Sequence, residues 1–173
     1  PVFNADKEVY RIYKQNKICY KKLKNKFSKH IISFPVKKKE LIKIINKNIK
    51  NVKKINKIVH PFVRANLNKF LIKNKKKKAV VLDVPLLLEG KINKKNDILI
   101  FVSSKKKDIN KRIKKKLNFN IKIYKILKKL QLPLETKKKK ANFVIKNNFR
   151  SVYIKKNVKV IKNIILNNER SST

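Results

Sequence analysis

The chain has 173 residues, with 51 Lys+Arg against 9 Asp+Glu, a formal net charge of +42 and one glycine. That length suits one domain with a buried core. The single cysteine, Cys19, excludes an intramolecular disulfide, and two histidines are too few for a Cys/His zinc site. No apolar run reaches membrane-spanning length and no signal peptide opens the chain, so a cytoplasmic protein without membrane contact is expected.

In chain order, "PVF" (Pro1 to Phe3) reads as the end of a strand. "NADKEVYRIYKQN" follows as a helix with Val9, Ile12 and Tyr13 at helical spacing, capped by Asn4 or Asp6. Lysine-rich helical segments run from about Lys37 to Lys57, with Leu41, Ile44 and Ile45 as a buried stripe. "HPFVRANLNKFLIKN" restarts a helix at Pro61, because proline is tolerated in a first turn. "AVVLDVPLLLEG" then gives a strand from Ala79 to Leu88. Its continuous apolar character predicts burial on both faces, with Asp83 as a carboxylate inside it. A second strand spans Asp97 to Ser104. Helices around "KDINKRIKKKL" and "IKIYKILKKLQ" come next, then a short strand from Asn142 to Asn147 and a last helix, "SVYIKKNVKVIKNIIL". Strands alternating with helices predict an α/β fold with a parallel sheet. Asp6, Asp83 to Pro85, Ser103 and Asn147 each follow a strand, and the carboxyl ends of such strands converge on one crevice.

The charge has two readings. Lysines that neutralise phosphates would make a basic nucleic-acid-binding protein without catalysis. Here, however, they fill nearly every polar position instead of one face, the pattern that adenine- and thymine-rich codons produce. Either cause predicts weak, salt-sensitive binding to polyanions. The chain contains no Met and begins at Pro1, which points to a segment missing in front. With Gly90 as its one glycine it also contains no phosphate-binding loop of the form GxxxxGK followed by Ser or Thr.

The segments "VFNADKEVYRIY", "IVHPFVRANLNKFL", "VVLDVPLLLEG", "DILIFVSS", "INKRIKKK" and "LQLPLETKKKKANFVIKNN" resemble, in order and spacing, those of dephospho-CoA kinase. The resemblance covers nearly the whole chain. It implies a P-loop nucleoside-phosphate-kinase-like core lacking its first strand and P-loop. A helical CoA-binding subdomain at 14–78 and a lid region at 105–135 would complete it. The implied reaction is ATP-dependent phosphorylation of the ribose 3'-hydroxyl of dephospho-CoA, the last step of coenzyme A synthesis. ATP and Mg2+ would be required, a monomer would act, and this stretch alone would be inactive.

The same resemblance assigns residues, each with a plainer alternative. Asp6 resembles the acceptor of the 3'-hydroxyl proton, or caps a helix; Asn4 replaces the first acid of that turn. Asp83 corresponds to a strand-end acid near magnesium, or is a buried, hydrogen-bonded structural carboxylate. Pro85 and Glu89 match the turn bordering the acceptor nucleotide, or Glu89 is a surface charge. His60, Pro61 and Arg64 match the acceptor-binding HPxVR segment, where a helix start with an arginine one turn in suits an anion; His60 alternatively caps that helix. Arg112 corresponds to the lid arginine over the phosphates. Lys116 stands where a second lid arginine is usual, followed by Leu117 in place of an aspartate. Asn147 resembles the asparagine beside the ATP adenine, and Asn142 replaces an aspartate; both are alternatively turn formers. A non-catalytic remnant is the remaining reading.

Overall fold

A computed structural model describes residues 1–115 and 120–168. The chain divides into two compact units, Pro1–Pro85 and Leu86–Thr173.

The first unit opens with β1 (Val2–Asn4), α1 (Ala5–Gln15) and α2 (Lys17–Lys26). Asparagines set these boundaries. The Asn4 Oδ1 accepts the Lys7 N–H at 2.9 Å and so starts α1. Asn16 ends α1 through its backbone N–H to the Ile12 carbonyl at 2.9 Å, and its Oδ1 then accepts the Cys19 N–H at 2.8 Å to start α2. The sequence reading assigns no separate α2, because Ile18, Cys19 and Tyr20 are consecutive and only Leu23 follows at helical spacing; of these, Cys19 and Leu23 turn inward. Both are fully buried.

The expected helical stretch from Lys37 to Lys57 is broken into α3 (Lys38–Lys47) and the start of α4 (Asn51–Lys73). Ile44 is buried, and Leu41 and Ile45 pack against the core. The α4 helix does not restart at Pro61: it runs through it. Proline removes one helical hydrogen bond and crowds the preceding turn. Against that, Val52, Ile55 and Val59 on one side of Pro61 and Leu67 on the other are all buried, and α4 touches α1, α2 and α3. Packing of one continuous apolar stripe outweighs a single lost bond. The resulting core is Ile12, Cys19, Leu23, Ile31, Val36, Ile44, Ile55 and Val59. Asn66 Nδ2 donates to Glu8 Oε2 at 3.0 Å and fastens α4 to α1, while Arg11 pairs with the same oxygen at 2.8 Å.

One acid lies inside this layer. Glu40 is 5% exposed. Burial alone would raise its pKa, but its Oε1 accepts the Ser33 hydroxyl at 2.7 Å and its Oε2 the Lys37 N–H at 3.3 Å, and these bonds hold it below the usual carboxylate value. Burial likewise pushes the Cys19 thiol up to about 11, which suits a packing residue.

β2 (Val81–Asp83) completes the unit, in place of the expected strand from Ala79 to Leu88. It pairs in parallel with β1, in the register Val2 with Val81, Phe3 with Leu82 and Asn4 with Asp83. The expectation of burial on both faces fails as well, since Val81 and Asp83 are exposed. Pro85 cannot donate to a ladder. From there the chain coils into a turn in which the Gly90, Lys91 and Ile92 N–H groups reach the Leu86, Leu88 and Leu87 carbonyls. Space favours glycine at position 90, because a Cβ there would stand 3.0 Å from the Leu86 carbonyl oxygen, a tight contact.

The second unit contains β3 (Ile100–Ser103), α5 (Lys106–Lys114), α6 (Ile121–Lys129), α7 (Leu134–Lys139), β4 (Phe143–Lys146) and α8 (Ser151–Asn168). β3 and β4 also pair in parallel, Ile100 with Phe143 through Ser103 with Lys146. Both are shorter than expected. Asp97 closes a turn by accepting the Lys94 N–H at 2.8 Å, and Asn142 clasps the Leu99 backbone, with its Oδ1 accepting the Leu99 N–H at 2.8 Å.

Glu89 is not a surface charge. Its Oε1 accepts the Lys137 ammonium at 2.7 Å and the Leu132 N–H at 2.8 Å, with the Glu89 and Lys137 side chains 13% and 15% exposed. Burial works to raise its pKa, but these partners, Lys137 above all, keep it below the ordinary value. The pin fixes the turn after Pro85 to the start of α7.

Leu23→Ala should lower unfolding free energy by about 2–5 kcal/mol, read by urea titration, because its site is fully enclosed. Lys137→Met leaves a largely buried carboxylate with backbone N–H donors but no counter-charge and should cost about 1–3 kcal/mol, whereas the double variant Lys137→Met, Glu89→Leu should recover most of that loss. The lowered Glu89 pKa also fixes a sign. Its stabilisation is complete above the unfolded value of 4.5 and disappears as pH falls through the lower folded value. The stability gap between the wild type and Glu89→Gln should therefore close in acid.

Candidate active site

The parallel register sets the carboxyl ends of β1 and β2 side by side. There Asn4 Nδ2 donates to Asp83 Oδ2 at 2.6 Å, linking residues far apart in sequence. Asp83 is thus an exposed strand-end carboxylate with a side-chain partner, not a buried one. Asp6 lies in the first turn of α1, also exposed. The cap of that helix is Asn4, so the capping alternative for Asp6 is overturned. A carboxylate in this position is favoured by the positive end of the helix dipole. Two acids and an amide accordingly share one edge of the first unit. Pro85 follows two residues after Asp83, exposed, at the opening of the next turn.

His60 and Arg64 lie one helical turn apart in the middle of α4, both exposed. The expected helix start at this point is absent, and with it both the anion site at a helix N-terminus and the capping alternative for His60. What remains is a pair of side chains on one helix face. Partial burial, and then the Arg64 guanidinium, hold the His60 imidazole below 6.5. A neutral imidazole beside a fixed cation can accept a hydrogen bond at neutral pH.

In the second unit the ends of β3 and β4 meet through the Asn147 N–H, which donates to the Ser103 carbonyl at 2.7 Å. The Asn147 Oδ1 accepts the Phe149 N–H at 2.8 Å, so its amide shapes the loop into α8. Arg112 comes from the last turn of α5, and its guanidinium lies over the Phe149 ring at 4.5 Å from the centroid. Arg112 and Asn147 therefore meet at one strand edge, through a phenylalanine that the sequence reading did not single out. Lys137 was also missed, being one of four successive lysines, 137–140. Lys116 and Leu117 lie outside the described residues.

Among the described residues no group of three or more His, Cys, Asp or Glu side chains forms a metal-binding cluster, and no helix is long and apolar enough to cross a membrane.

The family model described as dephospho-CoA kinase matches residues 1–152. A dephospho-CoA kinase of Wolbachia pipientis is 31% identical over 168 residues, which cover 92% of this chain and 83% of that relative. One from Bacillus cereus is 30% identical over 165 residues, covering 93% and 82%. Among solved structures, a dephospho-CoA kinase from Campylobacter jejuni has a TM-score of 0.62 at 26% identity, covering 96% of this chain and 86% of that one. A Thermus thermophilus protein has a TM-score of 0.70 at 23% identity, covering 94% and 83%, a likeness of fold. The matched stretch contains the β1–β2 edge and the Arg112–Asn147 edge alike, and the chain belongs to the dephospho-CoA kinase family.

Proposed function

We propose that the protein transfers the γ-phosphoryl group of ATP to the ribose 3'-hydroxyl of dephospho-CoA, giving coenzyme A and ADP. The family assignment supports this reaction over nucleic-acid binding. The observation that carries the residue assignment is the division of labour at the start of α1: Asn4 performs the cap and bonds Asp83, leaving Asp6 exposed in the first turn of the helix.

In the proposed step the 3'-oxygen forms a bond to the γ-phosphorus as the bond from that phosphorus to the β,γ-bridging oxygen breaks. The hydroxyl proton passes to the Asp6 carboxylate, and ADP leaves with the bridging electrons. Little covalent chemistry falls to the protein, so positioning and charge compensation dominate. Arg112 presents a planar fork that matches a phosphoryl group. Asn147 stands for the adenine side of the site. His60, Arg64, Pro85 and Glu89 stand for the acceptor side, with Glu89 acting by holding its turn through Lys137. The lid assignment for 105–135 and the acceptor-binding assignment for 14–78 belong to the same proposal, as does a monomer working in the cytoplasm.

An exposed strand-end carboxylate fits magnesium, which binds through one or two carboxylates together with substrate phosphates and retained waters. Asp83, already oriented by Asn4, is the residue that would hold it. When bound, the ion supplies positive charge to the phosphate oxygens.

Steady-state kinetics on the full-length protein test the assignment. Asp6→Asn preserves shape but cannot take the proton, so kcat should fall about 10²- to 10⁴-fold with KM nearly unchanged. Turnover near the wild-type rate would remove Asp6 from the chemistry. Arg112→Lys should also lower kcat/KM, because an ammonium lacks the two-pronged contact.

A further inference from the structure

Phe149 occupies a backbone conformation that an aromatic residue rarely adopts. Its φ is 62°, the left-handed region where a Cβ crowds the carbonyl oxygen. Glycine would enter it without strain. The loop nevertheless builds that conformation deliberately around phenylalanine: the Asn147 Oδ1 accepts the Phe149 N–H at 2.8 Å, and the Asn148 Oδ1 accepts the Arg150 N–H at 3.0 Å. Local strain held in place by its surroundings calls for a functional reason. Enclosure in a core does not supply one, since Phe149 remains 37% exposed.

One contact of the ring is with Arg112. The guanidinium carbon is 4.5 Å from the ring centroid, well within cation–π range. An arginine exposed on a helix otherwise samples many rotamers. The ring selects one of them, and it does so without using the hydrogen bonds of the guanidinium. A cation–π contact draws on the charge of the guanidinium, whereas phosphate is recognised by the N–H groups at its edge.

We propose that Phe149 is a positioning residue for Arg112: the left-handed turn after β4 raises an aromatic platform that holds the guanidinium in place by a cation–π contact, leaving its N–H groups for the transferring phosphoryl group. The proposal rests on the reading of Arg112 as a phosphate-binding residue. It assigns Phe149 no contact with substrate.

The test uses the full-length protein and the variants Phe149→Leu, Phe149→Gly and Phe149→Tyr. Loss of the platform in the Leu and Gly variants should lower kcat/KM for ATP about 3- to 30-fold, the span of a cation–π contact, while Tyr stays near wild type. Phe149→Gly should melt no lower than Phe149→Leu, because glycine removes the strain. In an Arg112→Ala background Phe149→Leu should cause no further loss. Full activity in Phe149→Leu, or an equal loss in both backgrounds, overturns the proposal. A readout independent of turnover is the Arg112 Nε–H resonance. It should lie upfield of those of the other arginines under the ring current and return in Phe149→Leu; an unshifted resonance in the wild type also overturns the stack. An inactive wild type with the resonance shifted counts instead against the kinase reading.

Discussion

Asn4 makes two bonds that work in opposite chemical senses. Its carbonyl oxygen accepts the Lys7 N–H and its amide nitrogen donates to the Asp83 carboxylate. An amide side chain does both at once through two separate atoms. An aspartate could cap the helix but would set a second negative charge against Asp83, and like charges at that distance repel strongly. The asparagine thus joins the start of α1 to the end of β2. The start of α1 just ahead of Asp6 and the orientation of Asp83 rest on that junction. The replacement of the expected acid at position 4 therefore reads as a working exchange, in which a carboxylate gives way to a clasp.

The second unit solves a similar problem with different chemistry. Asn142 and Asn147 fasten the two ends of the β3–β4 pair, one through the Leu99 backbone and the other through the Ser103 carbonyl. The abundance of asparagine consequently has structural uses, whatever its origin in base composition. Acids are scarce, and the structure employs them one at a time. Glu8 ties α1 to α4, Glu40 closes the loop before α3, Asp97 makes a turn, and Glu89 meets Lys137. A chain with net charge +42 repels itself. Each buried or partly buried carboxylate that finds donors offsets part of that cost locally.

Much of the fold was legible in the residues. Apolar spacing located α1, the outer parts of α4 and α8, and the alternation of strands and helices pointed to parallel pairing. The misreadings share a cause. Lengths of strands and continuity of helices depend on neighbours that a local pattern does not contain. Val81 belongs to a strand with one partner and is exposed, although its run looks like the centre of a sheet. Pro61 looks like a beginning, yet a buried stripe on both sides carries the helix through it. In α2 the run Ile18, Cys19, Tyr20 followed only by Leu23 shows too little periodicity to announce a helix.

The site divides along the same line. The sequence by itself determined the family-like segments and the acids and arginines within them: Asp6, Asp83, Glu89 and Arg112. These residue types carry chemistry that a lysine-rich background cannot imitate. Tertiary structure decided which of them stand exposed and which are tied to a partner. Lys137 is chemically identical to the lysines beside it, and only the fold brings its ammonium to Glu89. Phe149 looks like one more apolar residue until the left-handed turn lifts its ring under Arg112. Such pairings join positions tens of residues apart, so they are set by the path of the backbone and the geometry of packing, quantities that composition and periodicity do not encode.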